Sequence, residues 1–299
     1  MNRRGVMATG PDKIVRRGKF NELQFTHTDK IMFPAAGYTK GDVLAFYRKI
    51  APFLLPHLRD RPATLERLPD GLIPGAPRFW QKNIPAFYPA WIPRIELPTK
   101  DNGKVTYAMV NDLDTLLYLV NQGTLTFHVW LSRTGNLGMP DYVLFDLDPH
   151  EATFLDVVKI ATHLHNLLSA KKGEAYVKTS GKTGLHVLTP WKESGTYDAA
   201  RAWAMQIAEQ LVHDLPNLAT VERLTSKRHA HVYVDVIQNA MGHHVVPPYV
   251  LRATPDATVS TPLQWSELTP RLNPKVFTIE AALRRIARQP GDLMQALTS

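Results

Sequence analysis

The chain of 299 residues contains no cysteine. This absence excludes disulfides and thiolate metal sites, so a metal ion here would have oxygen or imidazole ligands. No apolar run approaches the roughly 20 residues of a membrane-spanning helix, and the first residues lack the apolar core of a secretory signal. We therefore expect a cytoplasmic protein with no membrane partner. The hydrophobic content of 44% and the charged content of 21% are typical of a globular protein.

Acidic residues are outnumbered, and the formal net charge is +8 at pH 7. Such an excess favours a polyanionic partner such as nucleic acid. Much of the excess lies in a basic leader, residues 1–19, where Asp12 is the one acid among six basic side chains. We expect this leader either to be disordered or to lie on nucleic-acid phosphates. Residues 20–299 are predicted to form one domain of two packed subregions.

The spacing of apolar residues predicts helices at 39–58, 153–168, 197–216 and 278–289. Strand-like runs lie at 104–110, 123–130, 141–147, 174–180, 185–189 and 231–237. Short turns join several of these strands, while others flank a helix. This mixture favours an α+β fold with mixed or antiparallel sheets flanked by helices. The segment 69–98, rich in proline and aromatic residues, is predicted to be an ordered loop region.

The stretch "DYVLFDLDPH" places Asp146 and Asp148 in a predicted strand, where carboxylates are rare. Side chains alternate along a strand, so both carboxylates leave the same face. They would repel each other unless a cation lies between them. A solvated strand end would carry the same residues, and a DxD pattern also occurs in metal-dependent sugar transferases.

A third carboxylate, Asp235, lies in the middle of the predicted strand "HVYVDVI". A buried unpaired carboxylate costs several kcal/mol. Three of them on adjacent strands are explained together as a cage for one or two hard cations. Two ions about 4 Å apart would clamp an attacking hydroxyl and a leaving pyrophosphate.

The segment "KTSGKTGLHV" (178–187) reads as a strand, a turn with two glycines and a second strand. Its backbone amides could approach a polyanion, while Ser180 and His186 would add donors. The spacing is not that of a P-loop, and an ordinary hairpin would show the same pattern.

Further candidates come from separate segments. His128 in "TFHVW" and Arg252 in "YVLRATP" could be donors to a phosphate, although a structural histidine and a surface ion pair are the common cases. The stretch "RFWQK" (78–82) interleaves aromatic and basic residues, as do stacking platforms for single-stranded nucleic acid. Adjacent aromatics are also common in hydrophobic cores.

Several motifs together resemble the polymerase domain of bacterial ligase D, in the archaeo-eukaryotic primase superfamily. The resemblance covers about residues 22–270. It is carried by "FHVW", "FDLDP", "TSGKTGLHV", "VDVIQN" followed by "PPYVLRATPDATVSTPLQW", and the N-terminal "FTHTDKIMFPAAGYTKGDVLAFY". It implies a primase-type catalytic core and template-directed nucleotide addition in non-homologous end joining. It also implies gap filling, a preference for ribonucleotides, and two ions of Mn²⁺ (or Mg²⁺) with NTP or dNTP as substrate.

The resemblance also implies roles for individual residues. The metal-binding catalytic carboxylates would be Asp146, Asp148 and Asp235. The triphosphate contacts would be His128, Ser180, Lys182, His186 and Arg252. The DNA contacts would be Lys30 and Lys40 at a downstream 5′-phosphate, Phe79, Trp80 and Lys82 at the template, and Arg228 at an incoming primer end. DNA ends and gapped duplex would be the partners, together with an ATP-dependent DNA ligase and Ku, at the nucleoid.

This sequence departs from the family at three places. His27 stands where asparagine is common beside the 5′-phosphate. Lys182 comes one position earlier in its turn than in many relatives, which could change the phosphate it reaches. His243 and His244 replace arginine or lysine. A primase that starts chains de novo, or a non-catalytic scaffold that bridges DNA ends, are the alternative functions. The three buried aspartates argue against the scaffold.

Overall fold

A computed structural model of the protein describes residues 23–99, 101–191, 195–289 and 291–298. The predicted basic leader, residues 1–19, lies outside the described residues. Within the described residues, no helix is long and apolar enough to span a membrane.

Five α-helices form in the described part of the chain. They are α1 (Lys40–Leu58), α2 (Leu113–Asn121), α3 (Phe154–Ala170), α4 (Tyr197–Asp214) and α5 (Ile279–Arg288). The first four begin after a residue whose side chain accepts a hydrogen bond from a backbone N–H of the first turn, namely Thr39, Asp112, Thr153 and Thr196. The four predicted helices are confirmed to within two residues at each end. Helix α2 was not predicted, because its run of apolar residues is short and fits a buried strand equally well.

Thirteen strands lie between and around these helices in the described residues. They are β1 (Ile31–Phe33), β2 (Tyr38–Thr39), β3 (Pro62–Arg67), β4 (Phe79–Gln81), β5 (Arg94–Pro98), β6 (Lys104–Met109), β7 (Thr124–Val129), β8 (Tyr142–Asp148), β9 (Tyr176–Thr179), β10 (Leu185–Pro190), β11 (Ala219–Thr220), β12 (Val232–Asp235) and β13 (Pro262–Leu263). All six predicted strands are present. The predicted loop region 69–98 contains the short strands β4 and β5.

Six strands form one sheet in the order β11-β12-β8-β10-β9-β13. All of its pairs are antiparallel except β11 with β12. Helices α3 and α4 cover one face, where they bury Val143, Phe145 and Leu147 of β8. The other face of β8 is therefore left for polar side chains.

A second sheet has five strands, and β3 lies at its centre. Strand β3 pairs with β7 along one edge and with β4 and β6 along the other, while β5 pairs with β6. Helices α1, α2 and α5 share a hydrophobic core with this sheet. Val129 at the end of β7 also forms a bridge with Val245, which brings the loop after β12 to this sheet. The predicted α+β class with mixed and antiparallel sheets is confirmed.

Candidate functional site

Three carboxylates meet on one face of the six-stranded sheet. Because side chains alternate along β8, Asp146 and Asp148 leave the face opposite to the one that α3 and α4 cover. Asp235 lies directly opposite Asp146 in the antiparallel pair of β12 and β8, so the two side chains share that face. The structure thus brings the predicted trio together. One detail of the prediction was wrong: Asp235 is the last residue of β12, not its middle, because the chain turns at Val236.

Negative charge accumulates at this place. The pKa of Asp146 is raised to about 7 by burial first, and then by the charges of Asp235 and Asp148, although Lys178 and Arg252 act in the opposite direction. The Asp146 side chain keeps 32% of its surface exposed, and its Oδ1 lies 3.4 Å from His186 Nε2. A cation placed between these carboxylates would relieve their mutual repulsion.

The donor set fits a divalent cation, although its geometry is not that of a closed metal site. Oxygen ligands from carboxylates are those that Mg²⁺ and Mn²⁺ prefer. Within the described residues, no three His, Cys, Asp or Glu side chains already converge on one point as metal ligands would. Asp235 accepts hydrogen bonds from Ile237 N at 2.8 Å and Gln238 Nε2 at 3.2 Å, and Asp148 accepts one from His150 N at 3.3 Å. A bound ion would compete with these contacts for the carboxylate oxygens.

The turn between β9 and β10 borders the carboxylates, as β10 pairs with β8 and places His186 opposite Asp146. Ser180 Oγ accepts from the backbone N–H groups of Lys182 and Gly184, both at 3.1 Å. Gly181 has a φ of 73°, and a Cβ on Gly184 would overlap the carbonyl of Leu147. Both glycines are therefore required by the backbone itself.

The turn is also held from the side of the second sheet. Arg252 Nη1 donates to the Ser180 carbonyl at 2.6 Å, and the Thr258 hydroxyl donates to the Gly181 carbonyl. The pKa of Arg252 is lowered to about 10 by burial, so the side chain stays cationic at neutral pH. A fixed cation thus lies beside a turn whose Lys182 and Thr183 are exposed to the cleft, an arrangement that suits a bound phosphate.

A cleft of about 400 Å³ opens in front of these groups. The predicted residues that line it are Trp80, His128, Asp146, Asp148, Ser180, Lys182, His186 and Arg252. Acidic and basic side chains therefore face one space, and that juxtaposition is the central feature of the site. A larger groove of about 510 Å³ lies along α5. It shares no residue with the cleft, and its Arg285 is paired with Glu267, so we do not assign the chemistry to it.

The two predicted histidines of the cleft are poor cations, and so is His244, which also lines it. Burial lowers the pKa of His128 to about 3 and lowers that of His186 well below its usual range. Both rings therefore act as neutral hydrogen-bonding groups at physiological pH. Lys182 and Arg252 remain as the cationic groups beside the predicted triphosphate position, although burial and the charge of Arg252 also lower the pKa of Lys182.

Glu66 is a charged residue of this region that the sequence analysis missed. It lies in β3, is fully buried, and forms an ion pair with Arg78. Its Oε2 is 3.7 Å from His128 Nε2, too long for a hydrogen bond. Burial alone would raise the pKa of Glu66, but His128 and Arg78 outweigh it and lower the pKa to about 2. The sequence feature that could have identified Glu66 is the one that marks Asp146, namely an acidic residue inside a strand of apolar residues.

Of the aromatic pair in "RFWQK", Trp80 lines the cleft, while Phe79 precedes it in β4 without lining the cleft. Phe79 and Trp80 in β4 are each 50% exposed. The Trp80 ring centroid lies 4.7 Å from that of His128 and 6.2 Å from that of His244. Lys82 is close enough to contribute, after burial, to the lowered pKa of His244. Exposed rings beside a lysine could stack on nucleic-acid bases.

Lys30 and Lys40 form a second basic cluster at the N-terminus of α1, and neither lines the cleft. Lys40 Nζ donates to the Thr26 carbonyl at 2.7 Å, and Lys30 Nζ pairs with Asp70 at 2.6 Å. The pKa of Lys40 is lowered to about 8 by burial and by the charge of Lys30. His27 beside them has a φ of 53°. This is the left-handed conformation, which asparagine adopts more readily than most residues do.

Arg228 lies apart from both groups. Its guanidinium donates to the carbonyls of Glu222 and Arg223 and lies 3.7 Å from the centroid of the Tyr233 ring. It does not line the cleft. The structure therefore holds Arg228 against its own loop, and its predicted role at a primer end stays a prediction.

The family whose description is "LigD, primase-polymerase domain" matches residues 39–294. The chain belongs to this family. A LigD from Bacillus subtilis, described as a bifunctional non-homologous end joining protein, is 34% identical over 281 residues, which are 93% of this chain and 45% of that protein. A multifunctional LigD from Mycolicibacterium smegmatis is 32% identical over 84% of this chain and 33% of its own length. The chain thus spans less than half the length of these relatives.

A solved structure supports the same conclusion. The polymerase domain of Mycobacterium tuberculosis ligase D, determined in complex with DNA, superposes with a TM-score of 0.87 at 32% sequence identity. The match covers 92% of this chain and 98% of that one. The predicted resemblance is confirmed, and the LigD primase-polymerase family makes the chain a nucleotidyltransferase by class.

Proposed function

We propose that this chain is a template-directed polymerase that fills gaps and extends ends at DNA double-strand breaks in non-homologous end joining. The observation that carries the proposal is the cleft itself, which Asp146 and Asp148 line together with Lys182 and Arg252. Carboxylates for divalent ions opposite donors for phosphates are what nucleotidyl transfer requires. Its relatives are named as non-homologous end joining proteins, which supports the repair context.

In this mechanism Asp146, Asp148 and Asp235 would hold two ions of Mn²⁺ or Mg²⁺. When bound, such ions lower the pKa of the primer 3′-hydroxyl and neutralise charge on the triphosphate. Arg252 and Lys182 would bind the phosphate oxygens and stabilise the charge that develops on the leaving pyrophosphate. Because Arg252 is buried, its charge acts in a medium that screens it less than water does. Lys182 is exposed at the surface of the cleft.

The neutral donors complete the triphosphate site. Ser180 Oγ accepts from the backbone N–H groups of Lys182 and Gly184, which fixes the shape of the turn before the nucleotide arrives. His128 and His186 would donate to phosphate oxygens without adding charge. Such preorganised donors cost no rearrangement during the reaction.

DNA contacts would come from the exposed aromatic and basic residues. Trp80 and Phe79 would stack on template bases with Lys82 beside them, while Lys30 and Lys40 would bind the downstream 5′-phosphate. Arg228 would contact an incoming primer end after leaving its loop contacts. These groups position DNA without reading its sequence, so binding should weaken as salt rises.

The remaining parts of the proposal concern preference and partners. We propose a preference for Mn²⁺ and ribonucleotides, a place at the nucleoid, and joint action with an ATP-dependent DNA ligase and Ku. The family resemblance supports each of them. A ligase is needed in any case, since a filled gap still carries a nick.

Primer extension on a gapped duplex tests the proposal. The downstream strand carries either a 5′-phosphate or a 5′-hydroxyl, and Mn²⁺, Mg²⁺, ribonucleotides and deoxynucleotides are compared. We expect extension that is stronger with the 5′-phosphate, and we expect Lys30→Met with Lys40→Met to remove that difference. Lys159→Met, on the exposed side of α3, is the matched control. Tight binding to the 5′-phosphate without extension under any metal would favour the end-bridging scaffold instead.

A further inference from the structure

Lys178 is a buried lysine beneath the cleft that the mechanism above does not use. It lies in β9, is fully buried, and has neighbouring strands on both sides. No carboxylate of the described residues lies within ion-pair distance of its Nζ. A buried ammonium without a paired carboxylate is costly, and methionine would fill the same space without that cost. The position therefore calls for a hydrogen-bonding explanation.

Lys178 makes two hydrogen bonds, and its surroundings fix the direction of the first. The Ser260 hydroxyl donates to the Thr179 carbonyl at 2.9 Å, so Ser260 Oγ accepts from Lys178 Nζ at 2.7 Å. The second partner of Nζ is His186 Nδ1, at 2.9 Å. An ammonium can only donate to Nδ1, whereas a neutral amine has an N–H for each partner but could also accept from an Nδ1–H. The contact on the other side of the ring therefore decides the direction.

The contact on the other side of the His186 ring indicates which ring nitrogen carries the proton. Its Nε2 lies 3.4 Å from Asp146 Oδ1. A neutral ring carries its single proton on one nitrogen only. Asp146 must be ionised to hold a cation, and a proton on Nδ1 would then leave the lone pair of Nε2 facing a carboxylate oxygen, which it would repel. With the proton on Nε2, both contacts are favourable.

We propose that Lys178 is a positioning residue that holds His186 as its Nε2–H tautomer, so that His186 enters the cleft as a hydrogen-bond donor. A ring nitrogen that carries a proton has no lone pair for a metal ion. The arrangement therefore removes His186 from the possible metal ligands and leaves the ions to the aspartates. Its Nε2–H is then available to Asp146 or to a phosphate oxygen of the nucleotide. The value of this donor for catalysis rests on the function proposed above.

The direct test is the tautomer of His186 in solution. Long-range proton–nitrogen correlation spectra of ¹⁵N-histidine-labelled protein distinguish a protonated ring nitrogen from an unprotonated one, and His186→Gln assigns the signals. We expect the Nε2–H tautomer in the wild type and in Lys178→Arg, and loss of that preference in Lys178→Met. The control Lys159→Met should leave the spectrum of His186 unchanged. An Nδ1–H tautomer in the wild type would overturn the proposal, as would an unchanged tautomer in Lys178→Met.

Nucleotide kinetics provide a second readout. Loss of one donor should raise the KM for the nucleotide about 2- to 12-fold in Lys178→Met, the range for one hydrogen bond. Lys178→Arg should keep the KM close to that of the wild type. In the double variant, Lys178→Met should not raise the KM beyond that of His186→Gln alone. Additive effects in the double variant would contradict the proposal.

The wild-type spectrum needs neither DNA nor a folded Lys178 variant. Its outcome is therefore independent of whether the protein extends DNA. An Nε2–H tautomer in a protein without polymerase activity would refute only the proposed function. An Nδ1–H tautomer in an active polymerase would refute only the role of Lys178.

Discussion

Replacement of Asp146 by asparagine should stabilise the metal-free protein while it abolishes nucleotide addition. The carboxyl group ionises at the ordinary value of 3.8 in the unfolded chain and at about 7 in the folded one. Between those values the folded state binds more protons than the unfolded state, so the free energy of unfolding falls as the pH rises. The contribution of protonated Asp146 to stability is therefore complete below pH 3.8 and is lost as the pH rises through about 7. Asparagine has the same shape and no charge, so the variant should not show this loss.

The size of the effect follows from the structure. A pKa that rises from 3.8 to about 7 corresponds to at most ~4 kcal/mol. Because 32% of the Asp146 side chain is exposed to solvent in the cleft, screening reduces that limit. We therefore expect a gain of about 1–2 kcal/mol at pH 8.

The assay is urea unfolding in the presence of a chelator, at several values between pH 5 and pH 8. The difference between Asp146→Asn and the wild type should grow with pH and level off above about pH 7, whereas Asp256→Asn on the exposed surface should show no such growth. Added Mn²⁺ should then stabilise the wild type more than the variant, because it binds only the intact site. An Asp146→Asn protein that is no more stable than the wild type at pH 8, or a difference independent of pH, would refute the reasoning.

Three further predictions concern the cationic and aromatic side chains. Arg252→Lys keeps the charge but loses the planar fork that reaches the phosphate turn, so the KM for the nucleotide should rise roughly 10-fold, as steady-state extension would show; an unchanged KM would place the triphosphate elsewhere. Trp80→Ala should weaken binding to a template overhang by about 1–3 kcal/mol in a fluorescence titration, and Trp80→Phe should keep most of it; equal losses in both variants would argue against stacking. Lys40 has a pKa of about 8, so the binding preference for a 5′-phosphate over a 5′-hydroxyl should decline as the pH rises through that value. The preference should be absent in Lys40→Met. A preference that is constant to pH 9 would exclude Lys40 as the 5′-phosphate contact.

The sequence alone predicts the faces of the strands. Side chains alternate between the two faces of a strand, which fixes the residues that share a face. One could therefore predict that Asp146 and Asp148 lie opposite the buried residues Val143, Phe145 and Leu147. The caps of α1, α3 and α4 likewise lie in the local sequence. The pairing of Asp235 with Asp146 depends on which strands become neighbours, and local spacing does not contain that information.

Short and buried elements were beyond the reach of periodicity. Strand β4 has three residues, and every residue of β5 is at least partly exposed, so neither shows the apolar pattern that distinguishes a strand from a loop. Glu66 and Lys178 could have been noticed as charges in apolar strands. Their partners come from other segments of the chain, and only the folded arrangement shows that each charge lies beside a histidine that lines the cleft.

The most direct test of the central claim is single-turnover nucleotide incorporation on a gapped duplex by Asp235→Asn, with Asp256→Asn as the matched control. Because strand pairing alone brings Asp235 beside Asp146, the Asp235→Asn variant tests whether the three carboxylates act as one site. We expect normal incorporation by the control and none above background by Asp235→Asn, with unchanged duplex binding and a folded protein in both. Incorporation by Asp235→Asn at the rate of the control would contradict the assignment of the carboxylate cluster as the catalytic centre.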